Sequence, residues 1–487
     1  MVHPYRMIMA SRTSLEYLES LKDGRAVYYR GRRVDDVTKH ELLSIAVKHA
    51  AMLYEFKRDG KFSEMANYSD PDIGLMSMFY KIPKSSEDLL KRHKLIKEST
   101  RYCNGIFNII QAIGSDALFS LLITSAKSGD SVLRQRVQKY YRYVVENDLA
   151  MAVAQTDVKG DRSLRPHEQA DPDLYVRVVE SNSDGIVVCG AKAHTTQSIA
   201  ANEIIFIPTR AMVEKDKDYA VAFAIPANAR GLKLVCRPVQ EVEGLGTDDA
   251  PLSSKNLEIE TLTILDHVFV PWERVFLFQD WKLAGELANT FATYHRFTAI
   301  SYRSVMAELF IGAARLAARY NGIDAAPHVR DDIIEMILYK EILDMAAKAA
   351  AHHPLFDDRT GIAIPNPLYT NIAKLYSNKQ FPNIVGALVD IAGGLTSTLP
   401  TTDDLNSPEI GTYVSKYLQG STRYSGEQRF KLMRLIREIA GGPMTGYLMG
   451  LFIHAEGSMA ASKIALYRDY KFERAEELVS KLAGVPI

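Results

Sequence analysis

The chain is poor in the residues that build cross-links and long apolar spans. Its 487 residues include only three cysteines, Cys103, Cys189 and Cys236, widely spaced and without a Cys-x-x-Cys pair. An odd count with no paired spacing argues against a disulfide framework and a thiolate zinc site, and a reducing cytoplasm is the compartment to expect. Charge of either sign is not in excess: Lys plus Arg and Asp plus Glu both number 59. That balance argues against a nucleic-acid partner, which asks for a basic stripe, but leaves room for a local basic pocket around an anionic substrate. No apolar run approaches the ~18 residues needed to cross a membrane. The segment GYLMGLFIHAEGSMAAS carries His454 and Glu456 and reads as a packed helix. The N-terminal MVHPYRMIMASRTSLEYLESLKDGR lacks the apolar core of a signal peptide. Also missing are G-x-G-x-x-G after a strand, a Walker A loop, H-E-x-x-H and G-x-S-x-G, so these sites have no support.

What is present is an ordinary globular composition, 47% hydrophobic and 24% charged, on a chain long enough for two or three domains. Three zones follow from periodicity. Residues 1–147 form a helical zone. KHELLSIAVKHAAMLYEFKRDG has helical apolar spacing and a stop at Gly60, and SSEDLLKRHKLIKEST opens on an N-cap cluster. Residues 148–280 hold short β-rich runs, DLYVRVVES, GIVVCGAKAH, NEIIFIPT, YAVAFAIP, LKLVCRPV and LEIETLTILDHVFVP, separated by turn signals, and predict a middle antiparallel β domain. Residues 281–487 return to helical spacing and predict a C-terminal helical bundle. The fold class is α+β.

Several stretches have chemistry to offer. AVAQTDVKGDRS (152–163), at the exit from a helix into a sheet, has hydroxyls, charges and free N–H groups that suit a cofactor's polar edge, and is equally the composition of a solvated turn. GAKAHTTQS (190–198) clusters polar groups at a strand end, or is simply a β-branched strand. Gly393-Gly394 lets backbone approach a ligand, or caps a helix. In FATYHRFTAISYR, His295 and Tyr302 stand seven residues apart, close to two helical turns, so both share a face in what reads as the start of a helix.

These segments, with EYLESLKDGRAVYYRGRRVDDVTKH, DHVFVPWERVF and DIAGGLTSTLPTTDDLNSPEIG, resemble the 4-hydroxyphenylacetate 3-hydroxylase / 4-hydroxybutyryl-CoA dehydratase flavoprotein family, on the dehydratase side. The resemblance implies an acyl-CoA-dehydrogenase-like fold, an FAD cofactor and a homotetramer whose subunits share cofactor sites. By it, Gln155, Thr156, Asp157, Lys159 and Arg162, with Lys192, His194, Thr195 and Thr196, would contact the flavin, and Gly393 and Gly394 would lie near it. One small departure is Val158, where the family reads Thr-Asp-Pro.

Larger departures fall on the dehydratase's [4Fe–4S] ligands, three Cys and one His in that branch. Here the positions read Ser99, Cys103, His295 and Tyr302, and the neighbouring Tyr and Lys are Ala299 and Arg303. One thiol cannot replace the soft ligand set of a four-iron cluster, so no such cluster and no metal ligands are expected. A late acidic residue is not matched at Gly450 or Leu451, although Glu456 lies nearby, and Glu260 is kept. The expectation is an FAD enzyme acting on an acyl-CoA by proton transfer, as in double-bond isomerisation. His295 and Glu260 would move protons, Glu260 with a pKa raised by burial. Tyr302 would hydrogen-bond an enolate and Arg303 would hold a CoA phosphate, unless it makes a surface salt bridge. The alternatives are an FADH2-dependent two-component monooxygenase with a flavin reductase partner, and a flavin-binding paralogue without activity.

Overall fold

The computed structural model describes residues 11–487. The stretch read for a targeting segment begins at residue 1, and its first ten positions lie outside the described residues. Helices come first, sheets follow, and helices close the chain. The helix Leu43–Arg58 buries an apolar face and stops at Asp59 rather than Gly60. Ser86–Tyr102 starts where the N-cap signal places it: the Ser85 hydroxyl accepts from the Asp88 N–H, with Glu87 and Asp88 in the first turn. Ala112–Lys127 is buried almost all round and runs through the middle of the helical layer.

Two sheets form the centre. The larger runs in the order Arg32–Val34, Val27–Tyr29, Leu232–Cys236, Glu260–Pro271, Gly185–Thr196, Arg177–Ser181. The smaller runs Val275–Phe278, Val221–Pro226, Glu203–Phe206, Met151–Ala154. Two departures from an all-antiparallel domain follow. The hairpin Val27–Val34, inside the zone read as helical, adds to the large sheet parallel to Leu232–Cys236. Its turn needs two residues at positive φ, and Arg30 (49°) and Gly31 (76°) supply them. Met151–Ala154 likewise pairs parallel with Glu203–Phe206.

The C-terminal part is built on one 41-residue helix, Trp281–Asn321, capped by the Asp280 side chain and by Gly322 at φ 72°. FATYHRFTAISYR therefore lies in its middle, not at a helix start. Pro327–His352 and Pro367–Ala392 pack against it from one side, and Ser86–Tyr102 and Ala112–Lys127 from the other. No helix among the described residues is long and apolar enough to cross a membrane.

The junction from helices to sheet is pinned by a buried ion pair. Lys57 donates to both Asp148 oxygens (2.7 and 2.6 Å), and Gln111 adds a bond to one of them at 2.7 Å. Both charged side chains are essentially sealed from solvent. Removing one partner strands the other charge. Asp148→Ala is expected to cost about 3–5 kcal/mol of stability, read as a lowered thermal midpoint, while the double variant Lys57→Met/Asp148→Leu regains most of it.

Candidate active site

The site lies where the large sheet ends beneath the C-terminal helices. Glu260 opens the strand Glu260–Pro271 opposite Thr196, and a bulge between Thr261 and Thr263 turns this end of the strand. The loop after Met151–Ala154 is tied to the same edge, because the Thr156 carbonyl accepts from the Ala193 N–H at 2.8 Å. The helix Pro443–His454 crosses over it: Tyr447 donates to Glu260 at 2.8 Å, and the His454 ring lies 6.4 Å from the His194 ring. Lys159 and Arg162 complete a cationic rim. Burial and then the neighbouring Lys159 and Arg162 hold the His454 pKa low, and His194 is lowered by burial and then by His454. Lys159, at φ 76°, is lowered by burial and then by Arg162. Two neutral imidazoles among cations form a surface that attracts an anion. Gln155, Thr156, Lys159, Arg162, His194 and Thr196 thus come together on one edge.

Three other residues expected at a cofactor turn inward. Asp157 and Lys192 are buried and paired at 2.9 Å. Lys192 also donates to the Gln155 and Ile207 carbonyls, and Asp157 accepts from the Val176 N–H at 3.0 Å. Burial lowers the Lys192 pKa, with Asp157 opposing it. Thr195 accepts from Thr263 within a buried hydroxyl ladder. The side chains of Asp157 and Lys192 hold the loop to the strands and have their bonds taken, while Thr195 is buried within the sheet. Gly393 and Gly394 lie at the far end of the helix that passes His454: Lys374 neighbours His454, and the nineteen residues of helix from it to Gly393 span about 28 Å. A Cβ at either glycine meets open space, and Thr396, which donates to the Gly393 carbonyl, packs on Gly441 just before the helix that carries Tyr447.

The long helix carries the next group. His295 lies 3.5 Å from the Asp116 carboxylate and stacks on Phe291. Asp116 is itself held by Arg92 at 2.7 Å and Thr298 at 3.1 Å. Tyr302 stacks on Phe107, ring centres 4.4 Å apart, and donates to Glu456 at 3.3 Å. Arg303 makes neither a surface salt bridge nor a free phosphate clamp. It is sealed and bonded to Glu456 at 2.6 Å, with Ser377, Asn378 and the Leu451 and Phe452 carbonyls around it. Burial is the largest influence and opposes its charge, but Glu456, Tyr302 and Tyr339 together outweigh it and hold its pKa up. Tyr302 is raised by burial and then by Glu456. Both phenol and guanidinium are therefore committed to Glu456.

Sequence reasoning missed Glu258, Tyr447, His454 and Arg237, and left Glu456 unmatched. Glu260 is not the buried carboxyl it was expected to be: it is half-buried, bonded to Arg237 at 2.6 Å. Glu258, two residues before the strand begins, is the buried one. Burial and then the Glu260 charge push its pKa up to about 8. The alternation Leu257-Glu258-Ile259-Glu260 was the available signal. The cover that buries Glu258 comes from Tyr447, nearly two hundred residues away in sequence.

The positions aligned with cluster ligands give one sulfur. Ser99 bonds back to the Ile96 carbonyl, and Cys103 is buried with its thiol pushed up to about 12. Soft thiolate chemistry has no donor set here. Among the described residues no group of three or more His, Cys, Asp or Glu side chains is arranged for a metal ion.

Models of the 4-hydroxyphenylacetate 3-hydroxylase N-terminal and C-terminal regions match residues 13–277 and 284–484. The chain is 34% identical to the 4-hydroxybutyryl-CoA dehydratase/vinylacetyl-CoA-Delta-isomerase of Clostridium aminobutyricum, covering 97% of this chain and 99% of that one. It is 32% identical to the 4-hydroxyphenylacetate 3-monooxygenase oxygenase component of Thermus thermophilus, over 87% of each. Its backbone superposes on an oxygen-tolerant archaeal 4-hydroxybutyryl-CoA dehydratase from N. maritimus with TM-score 0.92 at 30% identity, covering 98% and 96% of the two chains. For the oxygenase component of 4-hydroxyphenylacetate 3-monooxygenase complexed with FAD the values are 0.90 and 29%, covering 97% and 98%. The architecture is acyl-CoA-dehydrogenase-like, as the resemblance implied.

Burial predicts the behaviour of the thiols. All three cysteines are buried and free, and the Cys103 and Cys236 thiols are both pushed up to about 12. At pH 8 the native protein should react with iodoacetamide far more slowly than the same protein in denaturant, with Cys103 and Cys236 unmodified in peptide mass spectra.

Proposed function

Because the chain belongs to the 4-hydroxyphenylacetate 3-hydroxylase family, we propose that it is an FAD-dependent enzyme that moves protons on an acyl-CoA. The reaction is a double-bond isomerisation of the vinylacetyl-CoA to crotonyl-CoA type, without an intact [4Fe–4S] cluster. The observation that carries this reading is Glu260, held at the sheet edge between Arg237 and Tyr447 beside a cationic rim. A 1,3-shift needs a base for the proton beside the thioester and an acid for the far carbon. Glu260 serves as the base. His295, stacked on Phe291 with Nδ1 3.5 Å from the Asp116 carboxylate, serves as the second proton carrier. Tyr302 and Arg303 act through Glu456 as positioning residues.

The residues present fit a flavin. Gln155, Thr156, Lys159, Arg162, His194 and Thr196 offer a polar and cationic edge, while Asp157, Lys192 and Thr195 hold that edge rigid. When bound, FAD supplies a planar electron-accepting ring against which an acyl chain is held. Gly393-Gly394 then serves the cofactor of a neighbouring copy, in keeping with a homotetramer. Exposed Ile334, Leu338 and Met345 on one helix, and Leu478, Val479 and Leu482 on the unburied helix Glu473–Ala483, are the apolar surface such an assembly would cover.

The single sulfur at the ligand positions also favours a second reading, an FADH2-dependent aromatic monooxygenase served by a flavin reductase; the Thermus thermophilus relative is named as the oxygenase component of a 4-hydroxyphenylacetate 3-monooxygenase. Protein purified without oxygen separates the readings. Flavin with far less than the roughly four irons of one [4Fe–4S] cluster, and turnover of vinylacetyl-CoA without a reductase, is the expected result. Hydroxylation of a phenol with added reductase and no acyl-CoA turnover would establish the second. Four irons per flavin with dehydration of 4-hydroxybutyryl-CoA would overturn the cluster-free reading. Glu260→Gln should lower isomerase kcat by about 10²–10⁴-fold with flavin content unchanged, and unchanged turnover would remove Glu260 from the mechanism.

A further inference from the structure

Two carboxyl groups meet one phenol in the covered end of the sheet. The Tyr447 oxygen lies 2.8 Å from Glu260 Oε1 and 3.2 Å from Glu258 Oε2. A phenol has one proton to donate, so it cannot satisfy two carboxylates at once. Glu260 has Arg237 on its other oxygen and takes that proton. Glu258 must then either sit as a bare anion against the phenol oxygen or carry a proton and donate it there.

The surroundings decide between these. Glu258 Oε1 is buried with no hydrogen-bond partner. Arg237, the nearest cation, has its bonds directed to Glu260, to Glu241 and to the Pro238 and Glu258 backbone carbonyls, and none to the Glu258 carboxyl. The other ionisable groups facing Glu258 are the Cys103 thiol at the end of Ser86–Tyr102 and the Tyr302 phenol on the long helix, both neutral at pH 7. Arg303, beyond Tyr302, is taken by Glu456. A buried carboxylate with an empty oxygen and no cation is costly, and protonation removes the cost.

We propose that Glu258 is the proton store for Glu260, connected to it through the Tyr447 hydroxyl. The proton leaves Glu258 Oε2 for the phenol oxygen as the phenol's own proton passes to Glu260 Oε1. Negative charge moves from Glu260 to Glu258, no electrons are transferred, and the net charge of the three groups is unchanged. The reverse shift restores the start. Glu260 is thereby a carboxylate in one state and an acid in the other, without exchange with solvent. The use of that switch in turnover rests on the function proposed above. The stored proton does not.

The test reads the proton directly. Infrared difference spectra of the flavin-loaded protein between pH 6 and pH 10 should show a carboxylic-acid C=O band that disappears with a midpoint near 8. Glu258→Gln should lose that band, and Glu260→Gln should keep it with a lower midpoint, because the neighbouring charge is gone. The thermal midpoint gives a second reading. A carboxyl raised from 4.5 to about 8 stabilises the fold at acidic pH and loses that contribution as pH rises through this window. Wild-type stability should carry that fall, and Glu258→Gln should lack it. Glu438, another buried carboxyl raised by burial, remains in Glu258→Gln. A band with the midpoint near 8 that survives unchanged in that variant, or no such band in the wild type, overturns the proposal whatever the enzyme turns over. If the band is present and lost in Glu258→Gln while no acyl-CoA is processed, the proton store stands and the isomerase reading falls. With turnover, Glu258→Gln, Tyr447→Phe and the double variant should lower kcat to a similar extent, since any of them breaks one wire.

Discussion

The ion pair between Arg303 and Glu456 is the contact on which the candidate site depends. It joins the middle of the longest helix to the turn after Pro443–His454, and both side chains are sealed from solvent. A buried pair of this kind is a poor source of net stability, since desolvation offsets most of the attraction. Its value is positional. With Glu456 fixed, Pro443–His454 has one seat, and Tyr447 and His454 come down on the sheet edge where Glu260 and His194 stand. Lys374, lowered to about 8 by burial, bonds to the Gly457 carbonyl and to Ser462 and closes the same turn.

Other buried charges follow the same plan. Lys57 with Asp148 and Lys192 with Asp157 each sit where one layer meets the next. His93 bonds to Ser301 at 2.8 Å and to Asp344 at 3.1 Å, the connectivity of a hydrolytic triad. All three are buried among helices, and Lys97 and Lys348 also hold Asp344. The group ties three helices together and has no opening for a substrate. Pairing alone does not make a site, since access and an unsatisfied group are also required. Glu258 has the unsatisfied oxygen, and the edge beside it is exposed at His194.

Much of the site's frame was legible in the chain, because strands and helices announce themselves through local periodicity. The six β-rich runs of the middle segment became strands, and the strand end at Lys192–Thr196 and the loop at Gln155–Arg162 came to one edge. The roles of individual side chains were less legible. Asp157, Lys192 and Thr195 read as ligand groups by type, yet their hydrogen-bonding capacity is used by each other and by nearby groups. Gly393-Gly394 read as a close-approach element, yet helix length sets it about 28 Å from Lys374 at the His454 end of the edge.

By itself the sequence determined the order of layers, the cap at Ser85 and the scarcity of sulfur ligands, since each depends on residue type and near neighbours, while the edge that gathers Thr156, Lys159, His194 and Thr196 was implied by the family resemblance. Only the tertiary structure decided which carboxyl is buried, because burial is a property of what covers a residue. Glu258 and Glu260 stand two residues apart at the start of one strand, share a residue type and both meet the Tyr447 hydroxyl. Tyr447 and Arg237 make one a neutral acid and the other a paired carboxylate. The same reason turned Arg303 inward: a guanidinium on a helix has no direction of its own until Glu456 arrives from more than 150 residues further along.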